Sequence, residues 1–206
     1  IEEKKKFVIE SKDFLKGFQS VWYSASVSNI KPELSSVYIY PDGENIYFVA
    51  TDSFRLAEKN IRIGKTEGFE SILIPFKNTT EIARVFEDQD TEIEIIFDEN
   101  QIALKNKNIY LVSRIIDGVF PDYKQIIPKT ENTVVNVLKE ETINKIKINA
   151  EGEAIKISFN HKYLSDCFSS ISSDSLKLIF NGVGKPLVIT GSKDSTFRYL
   201  VMPMNK

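Results

Sequence analysis

A short apolar strand, a helix-capping residue and an amphipathic helix follow one another three times in this chain, each time ahead of a run of alternating strands. FVIE leads into SKDFLKGFQSVW, with Ser11 as the capping type and Phe14, Leu15, Phe18, Val21 and Trp22 at helical spacing. SILIPFK leads into NTTEIARVF, with Asn78 as cap, Glu81 three residues later, and Ile82, Val85 and Phe86 as the buried stripe. AIKISF leads into NHKYLSDCFSSI, with Asn160 as cap and Tyr163, Leu164, Cys167, Phe168 and Ile171 on one face. Copies of one unit predict an α+β chain whose helices lie on one face of antiparallel sheets.

A β-meander follows each helix. Turn residues break the first at Pro41-Asp42-Gly43, and the second at Asp98-Glu99-Asn100 and Asn106-Lys107-Asn108. The third turns between Gly182 and Gly184 and again near Ser192-Lys193-Asp194. The leading strands start at Phe7, Ser71 and Thr133, giving periods of 64 and 62 residues. The next starts near Ala154, only 21 residues on. Roughly 40 residues that the period demands, a helix and most of a meander, are therefore missing near positions 140–150. Two units per domain predict a first domain over 1–128 and a second over 129–206. The connector DGVFPDYKQIIPK has apolar anchors that suit it to packing.

Chemistry-bearing patterns are sparse. No glycine-rich phosphate loop, metal-ligand cluster or HExxH spacing is present, so no catalytic residue, metal or cofactor is expected. The single histidine, His161, directly follows a cap. Cys167 sits on an apolar stripe, where cysteine is inert core; a hydrolase built on this pair is the weakest reading. A lone cysteine suits a reducing cytosol, no run of 18 apolar residues exists, and IEEKKKF has no apolar signal region. A formal net charge of −2 argues against holding nucleic acid by bulk charge. On spacing alone, Leu56 and Tyr163 read as core residues. The tip YLVMPMNK differs: an apolar, sulfur-rich end implies a docking surface.

Four stretches carry a resemblance. ATDSFRLA (50–57), FPDYKQIIP (120–128), FNHKYLSD (159–166) and YLVMPM (199–204), in that order and period, resemble the bacterial DNA polymerase III beta subunit family, the replication sliding clamps. The likeness covers the second and third of that family's three domains. It implies a processivity factor without catalysis, working in the bacterial cytoplasm as a ring around duplex DNA. It also implies a hydrophobic groove between the two domains, where replicative polymerase and clamp loader insert short Gln/Leu/Phe-rich peptides.

By position, the second domain would supply Leu34, Thr51, Ser53, Phe54, Arg55 and Leu56 to the groove. The connector would supply Pro121, Gln125 and Ile126. The third domain would supply Asn160, Tyr163, Gly184, Pro186, Leu200, Met202, Pro203 and Met204. Leu56, Ile126 and Leu200 are expected as an apolar floor, Arg55 and Thr51 as holders of peptide carbonyls, and the methionines as adaptable walls. Lys12, Lys16, Lys77, Arg84 and Lys162 are the helix cations that would face DNA.

Two departures stand out. Ser53-Phe54 replaces the family's Gly-His, and Asn205-Lys206 ends the chain where Arg-Leu is common. The family's rings are head-to-tail dimers closed through a first domain, so this stretch is expected to be monomeric. The alternative is a stand-alone peptide-binding adaptor that reuses the fold without encircling DNA.

Overall fold

The computed structural model describes residues 6–142 and 156–204. The first unit comprises β1 (Lys6–Glu10), α1 (Ser11–Val21), β2 (Ser36–Asp42), β3 (Asn45–Thr51) and β4 (Arg55–Arg62). The second comprises β5 (Ile72–Pro75), α2 (Phe76–Phe86), β6 (Glu92–Phe97), β7 (Gln101–Lys105) and β8 (Tyr110–Arg114). Then come β9 (Thr133–Leu138), the single turn α3 (Lys139–Thr142), α4 (His161–Asp166), β10 (Ser175–Phe180), β11 (Leu187–Gly191) and β12 (Asp194–Val201).

The strands form two antiparallel sheets, one ordered β1-β6-β7-β8 and the other β5-β2-β3-β4-β12-β11-β10-β9. Leading strands are exchanged. β1 opens the first unit yet pairs with β6 of the second, and β5 opens the second yet pairs with β2 of the first. β9 likewise pairs with β10 of the last meander. The two halves of the chain meet where β12 lies antiparallel to β4, Leu200 opposite Leu56 and Arg198 opposite Glu58.

Several expectations need correction. Ser11 is the first residue of α1, not its cap; its buried hydroxyl donates to the Gln89 carbonyl, tying α1 to the end of α2. Asn78 is not a cap either, because α2 already begins at Phe76 and the Asn78 amide donates to Ser113 of β8. Glu81 pairs with Arg84 rather than closing a capping box. Val85 is exposed, and Thr79 and Ala83 take its place beside Ile82 and Phe86. Asn160 does cap α4, accepting from the Lys162 N–H. That helix stops at Asp166, however, so Cys167, Phe168 and Ile171 bury from the turn beyond it.

The strand expected over AIKISF is absent at 156–160. By the exchange rule its partner would be the first strand of the third unit's meander, for which the chain has no room. An unpaired strand leaves its backbone groups unsatisfied; here the Ser158 carbonyl instead accepts from the Met204 N–H. Most of the shortened interval, and Asn205-Lys206, lie outside the described residues.

One core lies between the helices and the sheets, with Phe14, Phe18 and Phe48 packed edge-to-face at its centre. Gly17 makes this possible. A Cβ there would stand 2.5 Å from the Phe48 ring, so only glycine lets α1 lie this close to β3. A second cluster fills the opposite face of the large sheet: Tyr40, Val49, Leu56, Ile179, Val188 and Leu200 lie beneath the connector's Phe120 and Tyr123.

Candidate functional site

The register carries Arg55 opposite Val201, and Val201 opposite Leu187. One step further, Phe54, Met202 and Pro186 fall in line across the ends of β4, β12 and β11. A hydrogen bond of 2.8 Å from the Met202 N–H to the Phe54 carbonyl closes that end. Phe54 is 63% exposed, Met202 and Met204 are also exposed, and Pro203 is partly covered. Phe54 and Met202 thus stand in water at the ends of β4 and β12, while Pro186, next to β11, is buried.

The turn holding Phe54 is built from Thr51 and Asp52. The Thr51 hydroxyl donates to the Arg55 carbonyl and accepts from the Ser53 N–H, while the Asp52 carboxylate accepts from the N–H groups of Phe54 and Arg55. Ser53 has φ of 76°, a left-handed conformation that costs an L-residue about 1–2 kcal/mol. Glycine carries no such cost. Ser53→Gly is expected to stabilise the chain by about 1 kcal/mol, a rise of about 3 °C in the thermal midpoint read by calorimetry.

Arg55 has a different task from the one expected. Its guanidinium donates to Asp52 at 3.0 Å and to Asp166 at the end of α4, and it lies over the Tyr163 ring at 4.3 Å. Burial opposes its charge, but these carboxylates outweigh burial and hold its pKa above the usual value. Tyr199 completes the joint by donating to the Tyr163 carbonyl, and Ser170 donates to the Tyr23 hydroxyl. Arg55 and Thr51 therefore spend their polar groups inside the chain, Arg55 as a clamp between its two halves.

Leu56 and Leu200 also differ from expectation. They are 1% and 2% exposed, members of the second core cluster rather than an open floor, because the connector covers that face. Leu34 is buried too, whereas Ile126 is half exposed. No hydrogen bond, ion pair or ring contact among the described residues links Leu34, Pro121, Gln125, Ile126 or Gly184 to the Phe54–Met202 line. Gln125 bonds to Asp122, and Gly184 sits in an exposed turn. Ser158, two residues before Asn160, accepts from the Met204 N–H at 2.8 Å.

Sequence reading missed what fastens the connector. The Tyr123 hydroxyl donates to the buried Glu58 carboxylate and accepts from the Tyr40 hydroxyl at 2.7 Å, while Arg198 donates to the other Glu58 oxygen at 3.1 Å. Burial, and then the neighbouring Glu58 charge, keep the Tyr123 phenol protonated. A signal existed: tyrosines 38 and 40 alternate with Val37 and Ile39, so the second face of that strand is aromatic and must be covered.

Lys12, Lys16, Lys77, Arg84 and Lys162 are all exposed on helices. Lys12 pairs with Asp90 at 2.6 Å and Arg84 with Glu81, which makes this a mixed-charge surface. Cys167 is buried, donates to the Leu164 carbonyl, and burial pushes its thiol up to about 12. A thiol that stays protonated at neutral pH is no nucleophile. Among the described residues no three His, Cys, Asp or Glu side chains are grouped to hold a metal. No described helix is long and apolar enough to cross a membrane.

The family models agree with the strand pattern. Residues 8–122 match the central domain of the DNA polymerase III beta subunit, and residues 124–205 match its C-terminal domain. The chain belongs to the DNA polymerase III beta subunit family. The beta sliding clamp of Staphylococcus epidermidis is 26% identical, across 88% of this chain and 59% of its own length. That of Rickettsia bellii is 26% identical, across 96% and 66%. The chain thus spans about 60% of the length of the curated relatives it matches.

The S. epidermidis alignment runs over 223 positions, whereas 88% of 206 residues is about 181; about 40 positions of that clamp face no residue here. Among solved structures, the Pseudomonas aeruginosa sliding clamp shares the clamp fold at a TM-score of 0.93 and 18% identity, over all of this chain and 68% of its own. A P. aeruginosa clamp bound to griselimycin has a TM-score of 0.91 at 19% identity, over all of this chain and 68% of its own. The Bacillus subtilis clamp has 0.88 at 24% identity, over all of this chain and 66% of its own.

Proposed function

We propose that this stretch is the partner-docking part of a replication sliding clamp. The observation that carries the reading is the exposed apolar pair Phe54 and Met202, with exposed Met204 two residues on and buried Pro186 in line with them, at the joint between β4 and β12. A Leu or Phe anchor from a short Gln/Leu/Phe-rich peptide of the replicative polymerase or clamp loader would seat against these side chains. Methionine's flexible, polarizable thioether suits a surface that must accept several partners. Strand ends beside a proline leave backbone groups for an extended peptide. The expected connector residues Pro121, Gln125 and Ile126, with Gly184, would form the rim.

The protein to which this stretch belongs encircles duplex DNA in the bacterial cytoplasm and has no catalytic step. Retention by enclosure needs no sequence readout and little positive charge, which agrees with a net charge of −2. The exposed helix cations would touch phosphates only loosely.

The test is a fluorescence-anisotropy titration with a labelled Gln-Leu-Ser-Leu-Phe peptide. About micromolar binding is expected, roughly −8 kcal/mol. Phe54→Ala and Met202→Ala each lie on the exposed surface, so both should fold normally and weaken binding about tenfold, about 1.4 kcal/mol. Leu200→Ala is a poor control because it removes core. Griselimycin, bound by the P. aeruginosa clamp, is expected to compete with the peptide. A peptide that fails to bind at high micromolar concentration removes the docking role.

A second reading, an adaptor that does not encircle DNA, is favoured by the short interval between β9 and α4. Retention on circular but not linearised plasmid separates the two.

A further inference from the structure

The end of the connector is joined to the end of β10 through one asparagine. Asn181 follows the last ladder pair, Phe180 with Thr133, and its Oδ1 accepts from the Thr130 hydroxyl at 3.4 Å and from the Asn132 N–H at 3.3 Å. The Asn132 N–H can only donate, which fixes the amide with its oxygen on this side. Its Nδ2 is buried and has no hydrogen-bond partner among the described residues. Buried amide donors are ordinarily paired, so this one calls for an explanation.

Of all the asparagines in the chain, only Asn181 precedes a glycine. Gly182 has φ of 104°, and a Cβ built there would meet no atom within 4 Å. No side chain therefore shields its backbone nitrogen, and no neighbour fills the space. Gly182 lies beyond the ladder in a turn closed by a bond of 3.3 Å from the Lys185 N–H to its carbonyl, and Val183, Gly184 and Lys185 are exposed.

These two residues are set for an intramolecular acyl transfer. The Gly182 nitrogen, once its proton has passed to hydroxide, bonds to Cγ of Asn181. The negative charge that collects on Oδ1 falls where Thr130 and Asn132 already donate, as in an oxyanion hole. The Cγ–Nδ2 bond then breaks, and Nδ2 leaves as ammonia with a proton from water, giving up no hydrogen bond. Water opens the resulting succinimide ring at either carbonyl. The product is an aspartyl residue, or an isoaspartyl one whose main chain runs through Cγ. One water is consumed, one ammonia is released, and nothing is oxidised or reduced.

We propose that Asn181 is a self-modification site, at which the fold itself promotes loss of the amide through a succinimide with Gly182. The product places a carboxylate between the connector and β10, and its isoaspartyl form adds a methylene to the main chain between β10 and β11. The formal net charge of −2 becomes more negative by one. Peptide docking plays no part in this chemistry.

The test is incubation of the purified chain at mildly alkaline pH, beside a free peptide of residues 177–187. Conversion is followed by released ammonia, by a gain of one mass unit in the tryptic fragment that holds position 181, and by isoaspartate-specific methylation. Asn181 is expected to convert before any other asparagine, at least as fast as in the free peptide, and in proportion to hydroxide. Thr130→Val removes an exposed donor without altering the Asn-Gly pair, and is expected to slow the chain severalfold. Asn181→Gln, which would need a larger ring, is the blank. An Asn181 that outlasts its counterpart in the peptide, or a Thr130→Val chain that converts at the native rate, would overturn the proposal. Earlier conversion of a different asparagine would overturn it too.

Discussion

Arg55→Ala is expected to cost the chain about 3 kcal/mol, mostly at the joint between its two halves. Arg55 bonds on both sides of that joint, to Asp52 on its own turn and to Asp166 on α4, and is stacked on Tyr163. All three charged side chains are largely covered, with relative exposures of 10%, 15% and 23%, so alanine strands two carboxylates in poorly solvated positions. Arg55→Lys keeps the charge but loses the planar fork and the stacking, and should retain less than half of the stabilisation. Urea denaturation gives these values. The cycle with Asp166→Ala should show a coupling of about 2 kcal/mol. A coupling near zero would mean that the bridge is incidental and that β4·β12 pairing alone holds the joint.

Phe48→Ala should cost about 4 kcal/mol, because the ring is fully buried between Phe14 and Phe18. The informative result is its coupling to Gly17. In the native background Gly17→Ala drives a methyl to 2.5 Å from a ring that has nowhere to go, and the overpacking costs about 1–3 kcal/mol. With Phe48→Ala the clash disappears, and the same change should gain up to about 1 kcal/mol of helix propensity. A change of sign between backgrounds is thus expected in thermal or chemical denaturation. Simple additivity would show that α1 slides away from β3 instead of pressing on it.

Some elements were legible in the sequence. The stripe Phe14, Leu15, Phe18 and Val21 is buried as helical periodicity demands, and the three meanders have their strands between the turns that Asp, Asn and Gly mark. Both effects act over a few residues. Caps were less legible: Ser11 and Asn78 are cap types used for other bonds, since each helix began at or before them. A β-strand at AIKISF failed for a non-local reason, the lack of room for the strand it would pair with.

The candidate site divides the same way. An apolar tip at Met202 and Met204 announced a surface, and both side chains are exposed. Leu56 and Leu200 looked like a floor only until the connector's Phe120 and Tyr123 were found lying over them. Glu58 occupies a strand position that pattern alone would leave in water; it is buried because Tyr123 and Arg198 close around it.

The sequence by itself determined the repeated unit, its local turns and helices, and the interval too short to hold a whole one, because periodicity and spacing are properties of neighbours along the chain. Tertiary structure alone decided which leading strand crosses to which meander, that β4 meets β12, and that Arg55 clamps the joint. A strand's backbone can pair with many edges; the choice is made by the layer that packs against its side chains, and that layer comes from distant parts of the chain.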